Sequence, residues 1–231
     1  MNIPVSQRLL ACADRIDGGV RVADIGCDHG YLGIYLLHTG KASHVIASDV
    51  NQGPLQSAIK NAEKYGVSDG MRFYLSDGVQ NIPRDFDVMI CAGMGADTMM
   101  RIIGSAPWLR DPKYRLILQC QSKRPELREW LNEEGFAIRR ETLAKDGKFV
   151  YSVMEVVYAP GPLLSAVHYY ISPQLLEGRH PLLPEYFQRV KYGVQLTVSG
   201  MAQTGDARLE TYRALLSELT ALEETIYGNR E

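Results

Sequence analysis

Residues 20–37 read VRVADIGCDHGYLGIYLL, and Asp49 follows after the apolar run HVIAS. A short apolar strand here ends on an acidic residue, passes through a loop carrying Gly26 and Gly30, and enters a helix. A second apolar strand then ends on another carboxylate. That order is the layout of a nucleotide-cofactor site at the carboxyl ends of parallel strands. The two glycines let backbone approach a ligand closely. Asp49, one βαβ crossover beyond the loop, is placed to hold two ribose hydroxyls. A dinucleotide fingerprint reads G-x-G-x-x-G, so that a pyrophosphate meets bare helix-terminal amides. Here Asp28 takes the second glycine position and His29 follows it. A carboxylate at that point repels pyrophosphate and suits a cofactor that carries an ammonium and a sulfonium. The loop therefore favours S-adenosylmethionine over NAD.

Strand and helix patterns alternate through about two thirds of the chain. Helices are expected over 6–16 (with Ser6 as N-cap), 31–39, 54–65, 96–105 and 123–134. Strands are expected over 21–25, 44–48, 71–76, 86–91 and 115–119. Residues 136–144 and 149–158 pair across the turn KDGK as an antiparallel hairpin. Five βα units followed by a hairpin make a seven-stranded sheet with a reversed last strand. The fold class is thus α/β, and a Rossmann-like sheet ending in such a hairpin is similar to that of methyltransferases. The segment APGPLL after Tyr158 breaks the sheet pattern. Beyond it lie two long helical patterns, 184–201 with a stripe of Phe187, Val190, Val194 and Met201, and 206–227 with Leu209, Tyr212, Leu216, Leu219 and Ile226. They suggest a C-terminal helical hairpin of coiled-coil character, or else two ordinary helices packed on the sheet. The expected organisation is a cofactor-binding domain over 1–158 and a helical domain over 159–231.

Composition narrows the class further. A chain of 231 residues, 45% hydrophobic, has ample material for a buried core. Its formal net charge is −2, so the protein as a whole is no polycation. No signal peptide and no membrane span are expected. Cys12, Cys27, Cys91 and Cys120 form no C-x-x-C pair and no zinc spacing, so reduced thiols, a cytoplasmic location and no metal are expected. Small buried residues account for all of them except Cys27, which sits in the glycine loop.

Four strand-end loops carry the candidate chemistry. In the first, Asp24 closes its strand, either organising the loop or accepting from the cofactor's amino group, and Gly26, Asp28, His29 and Gly30 complete the cluster. His29 alone reads equally as a helix cap. The second loop holds Asp49. The third, Ser76–Asp77–Gly78, offers Asp77 to an adenine amino group, though an Asp-Gly turn explains it as well. The fourth, Ala92–Gly93–Met94–Gly95–Ala96, leaves room for a substrate ring beside the apolar wall of Met94. An Asn/Asp-Pro-Pro-aromatic grip for an exocyclic amine is absent there, which argues against that acceptor atom.

With these residues in view, the chain resembles the bacterial tRNA (adenine-N1) methyltransferase family TrmK. The similarity runs through ADIGCDHGYL, IASDVNQGPLQSA, DGVQNIP, ICAGMG, LREWLNEEGFAI and YSVMEVVY, over roughly residues 6–158. It departs from the family pattern at Gly33, where a proline is common, at Ala96, where a glycine is usual, and at Gln119–Cys120–Gln121, where Gln-Pro-Asn is usual. The resemblance implies S-adenosylmethionine as cofactor and N1 of adenine 22 in tRNA as acceptor. Carried over position by position, cofactor contacts fall to Asp24, Gly26, Asp28, His29, Gly30, Asp49, Asp77, Gly78, Gly93, Met94 and Gly95. Asp28 and His29 are the candidates for shaping the catalytic field, and Gln119 the candidate base contact.

N1 of neutral adenine already has a lone pair, so alignment and electrostatics matter more than proton abstraction. RNA requires local positive charge. Residues 110–148 hold ten Lys or Arg against seven Asp or Glu, Lys123 and Arg124 among them. Arg8, on the first helix, is placed to cover the cofactor, to meet a phosphate, or to serve as surface charge. The expected partner is tRNA, with no membrane, and the protein a monomer or weak oligomer. Two alternatives stay open on the residues alone. One is a methyltransferase for a small molecule or protein. The other is a non-catalytic cofactor-binding regulatory module.

Overall fold

The computed structural model describes residues 3–228. Within them the chain divides into two compact units, with the boundary between Leu163 and Leu164.

The first unit is built on one seven-stranded sheet. Its strands are β1 (Val20–Ile25), β2 (Ala42–Asp49), β3 (Met71–Leu75), β4 (Val88–Met94), β5 (Arg115–Cys120), β6 (Phe136–Asp146) and β7 (Phe149–Tyr158), in spatial order β3-β2-β1-β4-β5-β7-β6. The first five are mutually parallel. β7 runs antiparallel to β5, with Leu116 opposite Val156, and β6 closes the hairpin with Asp146 opposite Phe149. The reversed last strand expected from the KDGK turn is present.

Helices cover both faces. Those of this unit are α1 (Gln7–Ala13), α2 (Tyr31–His38), α3 (Gln52–Lys64), α4 (Ala96–Gly104) and α5 (Arg124–Glu133). On one face Met99, Ile102 and Ile103 of α4 and Leu127 and Leu131 of α5 pack against Ile25, Met89, Leu116 and Leu118. On the other, Cys12 of α1, Ile34 and Leu36 of α2 and Leu55, Ala58 and Ala62 of α3 cover Val22, Val45, Ile90 and Ile117. Central strands buried on both sides read as continuous apolar runs, which is why VMIC and LIL mark β4 and β5. Gly33 lies where α2 meets the sheet. A Cβ there would stand 2.9 Å from Val45 Cγ1 and 3.0 Å from Met71 Cε, so this close helix–strand contact leaves no room for a larger residue.

Among the boundaries that differ from expectation, two have a local cause in hydrogen bonding. α1 ends at Ala13 because the chain tightens to i→i−3 bonds, Arg15 N–H to Cys12 O and Ile16 N–H to Ala13 O; Ser6 stands at the N-cap position but makes no side-chain cap. The sheet unit also runs past Tyr158. Ala159 N–H bonds to Gly135 O, and Asn132 Nδ2 donates to Pro162 O, tying the proline-rich segment back to this unit.

The second unit holds α6 (Ala166–Tyr170), α7 (Pro173–Gly178), α8 (Leu183–Thr204) and α9 (Leu209–Tyr227). α8 and α9 pack together, and Lys191 Nζ meets Glu223 Oε2 at 2.6 Å across the pair. Phe187, Val194 and Met201 of the expected stripe are buried, with Val190 half-buried. On α9 Leu219 of the expected stripe is buried, Leu215 takes the other buried place, and Tyr212 and Leu216 are half-buried. The short helices α6 and α7 have no counterpart in the periodicity reading. Ser172–Pro173 nonetheless carries the start signal of α7, where Ser172 Oγ accepts from Leu175 N–H at 3.2 Å.

Candidate active site

Parallel strands β1, β2, β3 and β4 deliver their carboxyl-end loops to the same edge of the sheet. Between the β1 loop, α1, α2 and the β4 loop lies a cleft of about 290 Å³. Asp24, Gly26, Asp28, His29, Gly93 and Met94 line it, as do Arg8, Leu9, Cys27 and Tyr31.

The β1 loop is held by its neighbour strand. Ser48 O of β2 accepts both Gly26 N–H (2.8 Å) and Cys27 N–H (2.9 Å). Gly26 adopts φ +71°, and a Cβ there would run into Met94 Cε. Gly30 adopts φ +72° at the N-cap of α2, where a Cβ would stand 2.9 Å from Ala58 Cβ. Both positions favour glycine for left-handed backbone, and at Gly30 the close approach to Ala58 adds a need for space. Asp28 itself is left-handed at φ +50°, a conformation open to Asp more readily than to most residues.

Two buried carboxylates stand behind this loop. Asp49 Oδ2 accepts Asp28 N–H at 3.2 Å, and its Oδ1 accepts Asn51 N–H at 2.8 Å. Asp24 is buried too, and its Oδ2 has no hydrogen-bond partner among the described residues. Burial foremost, then the Asp49 charge, pushes the Asp24 carboxyl up to about 7, partly offset by the Gly33 backbone N–H. A buried polar atom left unpaired is costly and marks a place where a ligand group completes the site. Burial also pushes the Cys27 thiol up, so this cleft cysteine is no thiolate nucleophile. At the mouth, His29 Nε2 lies 3.6 Å from Asp28 Oδ1, both side chains largely exposed. The His29 carbonyl, not its ring, is tied to α3 through Asn61 Nδ2.

The remaining expected site residues sit apart from this cleft lining. Asp77 is half-exposed and holds Arg101 in a bidentate ion pair, at 2.8 and 2.9 Å, which keeps its carboxyl below the usual range. Gly78 turns beneath Ile102. Gly95 is the N-cap of α4. Gln119 is fully buried under the β4 loop, where its Oε1 accepts both Gly93 N–H and Arg8 Nη1, each at 3.0 Å. Its amide oxygen thereby supports the Gly93 loop and Arg8 from below. The sequence carried no sign of the Asp77–Arg101 pair, whose partners lie on separate elements. Tyr31 and Leu9 were legible only as the neighbours of Gly30 and Arg8.

A reversed seven-stranded sheet with an acidic glycine loop at the carboxyl ends of its parallel strands defines a Rossmann-like methyltransferase. A family model described as a methyltransferase domain matches residues 5–154. The tRNA (adenine(22)-N(1))-methyltransferase of Bacillus subtilis is 33% identical over 153 residues, which cover 66% of this chain and 64% of that protein's length. The crystal structure of the B. subtilis tRNA methyltransferase TrmK is 27% identical, with a TM-score of 0.78 over 97% of this chain and 98% of that one. A Streptococcus pneumoniae putative tRNA (m1A22) methyltransferase, solved with S-adenosyl-L-methionine, is 28% identical, with a TM-score of 0.79 over 92% and 99% of the two chains. The chain belongs to the methyltransferase-domain family, and within it resembles the TrmK tRNA methyltransferases.

Proposed function

We propose that this chain transfers a methyl group from S-adenosylmethionine to N1 of adenine 22 in tRNA, in the cytoplasm, as a monomer or weak oligomer. The observation that carries the reading is the cleft itself: a buried carboxylate with an unpaired oxygen, Asp24, beside a glycine loop whose second glycine is replaced by Asp28. Those groups fit a ligand with an ammonium and a sulfonium and would repel a pyrophosphate. When bound, the cofactor supplies an electrophilic methyl group.

The chain's own residues supply position and field. Asp24 accepts from the cofactor's ammonium. Asp49 retains lone pairs beyond the two backbone N–H groups it already accepts, and these serve the ribose hydroxyls. Asp77 serves the adenine amino group with the lone pairs that Arg101 leaves. Gly93, Met94 and Gly95, propped from below by Gln119, give a target base room without a polar grip on its amine. N1 of neutral adenine already carries a lone pair, so no residue need remove a proton for it to accept a methyl group. Positive charge passes to the adenine ring, and the Asp28 carboxylate, with His29 beside it, stabilises that charge at the cleft mouth. N1 lies on the Watson–Crick edge, so the base is met unpaired or drawn from its stack.

Incubation with methyl-labelled cofactor and unmodified bulk tRNA, followed by nucleoside analysis, tests this. The expected product is N1-methyladenosine without N6-methyladenosine. Labelled protein or free amino acids with unlabelled tRNA would refute it.

A further inference from the structure

The cleft carries an imbalance of charge that has one exception. Asp24 and Asp28 line it and Asp49 stands behind the loop, yet Arg8 lines it too and pairs with none of these carboxylates. Among the described residues its guanidinium makes a single hydrogen bond, from Nη1 to the side-chain amide oxygen Oε1 of Gln119, at 3.0 Å. Gln119 is fully buried, so this bond fixes the head group in place rather than letting it sweep through solvent. The head group also lies along Gly93, where a Cβ would stand 3.1 Å from Nη1 and 3.7 Å from Nη2. Nε and Nη2 remain unspent among the described residues, and they are donors in the fork that matches a carboxylate.

A cofactor with an amino-acid end brings one group of each sign. Its ammonium and sulfonium suit Asp24 and Asp28. Its α-carboxylate would be repelled by both. Among the described residues, Arg8 is the only Arg or Lys lining the cleft. We infer that Arg8 binds the α-carboxylate of S-adenosylmethionine while its Nη1 keeps hold of Gln119. This rests on the cofactor reading above. It adds a consequence: one guanidinium then joins the cofactor to the Gln119–Gly93 prop, so an occupied cofactor site steadies the loop that faces the acceptor base. A tRNA phosphate is the less favoured partner, because the anchored head group is turned into the cofactor cleft.

The test compares three ligands by calorimetry on the wild-type chain, on Arg8→Ala and on Arg8→Gln, which keeps a donor for Gln119 without the charge. The ligands are S-adenosylhomocysteine, decarboxylated S-adenosylmethionine and 5′-methylthioadenosine. Both variants should lose about tenfold or more for S-adenosylhomocysteine, the scale of a charge-assisted pair. Affinity for the two ligands without a carboxylate should stay within about twofold, since no such pair is lost. Equal losses for all three would overturn the inference and leave Arg8 as a support for Gln119. Unchanged S-adenosylhomocysteine affinity with a raised KM for tRNA would overturn it in favour of a phosphate contact. A wild-type chain that binds none of the three would remove the cofactor reading and this inference together.

Discussion

Asp24 is held in the protonated range by burial and by Asp49, so the folded chain grips a proton that the unfolded chain releases. A carboxyl raised in this way contributes stability that is fully present below its ordinary value near 3.8 and fades as pH rises through about 7. Urea unfolding across that window should show wild-type stability falling relative to Asp24→Asn, whose side chain does not titrate. The cofactor's ammonium reverses the preference for protonation, so binding at slightly acid pH should release a proton. Calorimetry in buffers of different ionisation enthalpy reads that release directly, and Asp24→Asn should abolish it. Asp49 acts differently, since it already organises Asp28 and Asn51. Asp49→Ala should weaken cofactor binding by about 1–3 kcal/mol, the range for losing charge-assisted hydrogen bonds. Unchanged affinity would remove it from the ribose site.

At the scale of elements, the two loop glycines are not equivalent. Both need left-handed backbone, which costs an L-residue about 1–2 kcal/mol. At Gly26 the obstructing atom is the far end of Met94, which can swing away, whereas at Gly30 it is the Cβ and backbone of Ala58 in α3. Gly30→Ala should therefore destabilise the fold more in thermal unfolding, and Gly26→Ala should chiefly impair cofactor binding by pushing Met94 into the cleft. The loops that carry these glycines were readable because apolar strand, acidic end, glycine loop and helix follow one another within a single βα unit. The hairpin was readable for the same reason: its turn is local. What escaped the sequence depends on long-range burial. Gln119 sits in an apolar run, LILQC, that gives no hint of which side its amide faces. On α9 the expected stripe holds at Leu219 but not at Leu216, because Leu215 and Leu216 differ by one position and packing decides which is covered. Arg101, on α4, meets Asp77 across the intervening strand β4, a pairing that no local pattern announces.

Taken whole, the molecule spends much of its positive charge internally. Within residues 110–148, Arg110 pairs with Glu134, Lys113 with Asp111, Arg115 with Asp17 and Glu155, Lys123 with Asp97 and Arg140 with Glu155. Arg128 is buried against Glu141 at 2.5 Å. The excess of basic residues in that stretch is therefore a weak guide to an RNA-binding face. Among the described residues, no helix is long and apolar enough to cross a membrane. All strand-end loops of the cleft lie in the first unit, and the bonds of Ala159 and Asn132 place its end beyond Pro162. A chain stopped after Leu163 should keep its cofactor affinity and lose most of its turnover on tRNA. Full turnover would make the helical unit dispensable. The central claim is the acceptor atom, and it is read most directly by reverse transcription of one unmodified tRNA after incubation with cofactor. N1-methylation blocks the Watson–Crick edge, so extension should stop at adenine 22 and run through in the same tRNA with guanine there. Read-through of the adenine-22 tRNA with no methyl incorporated, or incorporation that survives the change to guanine, would contradict the account.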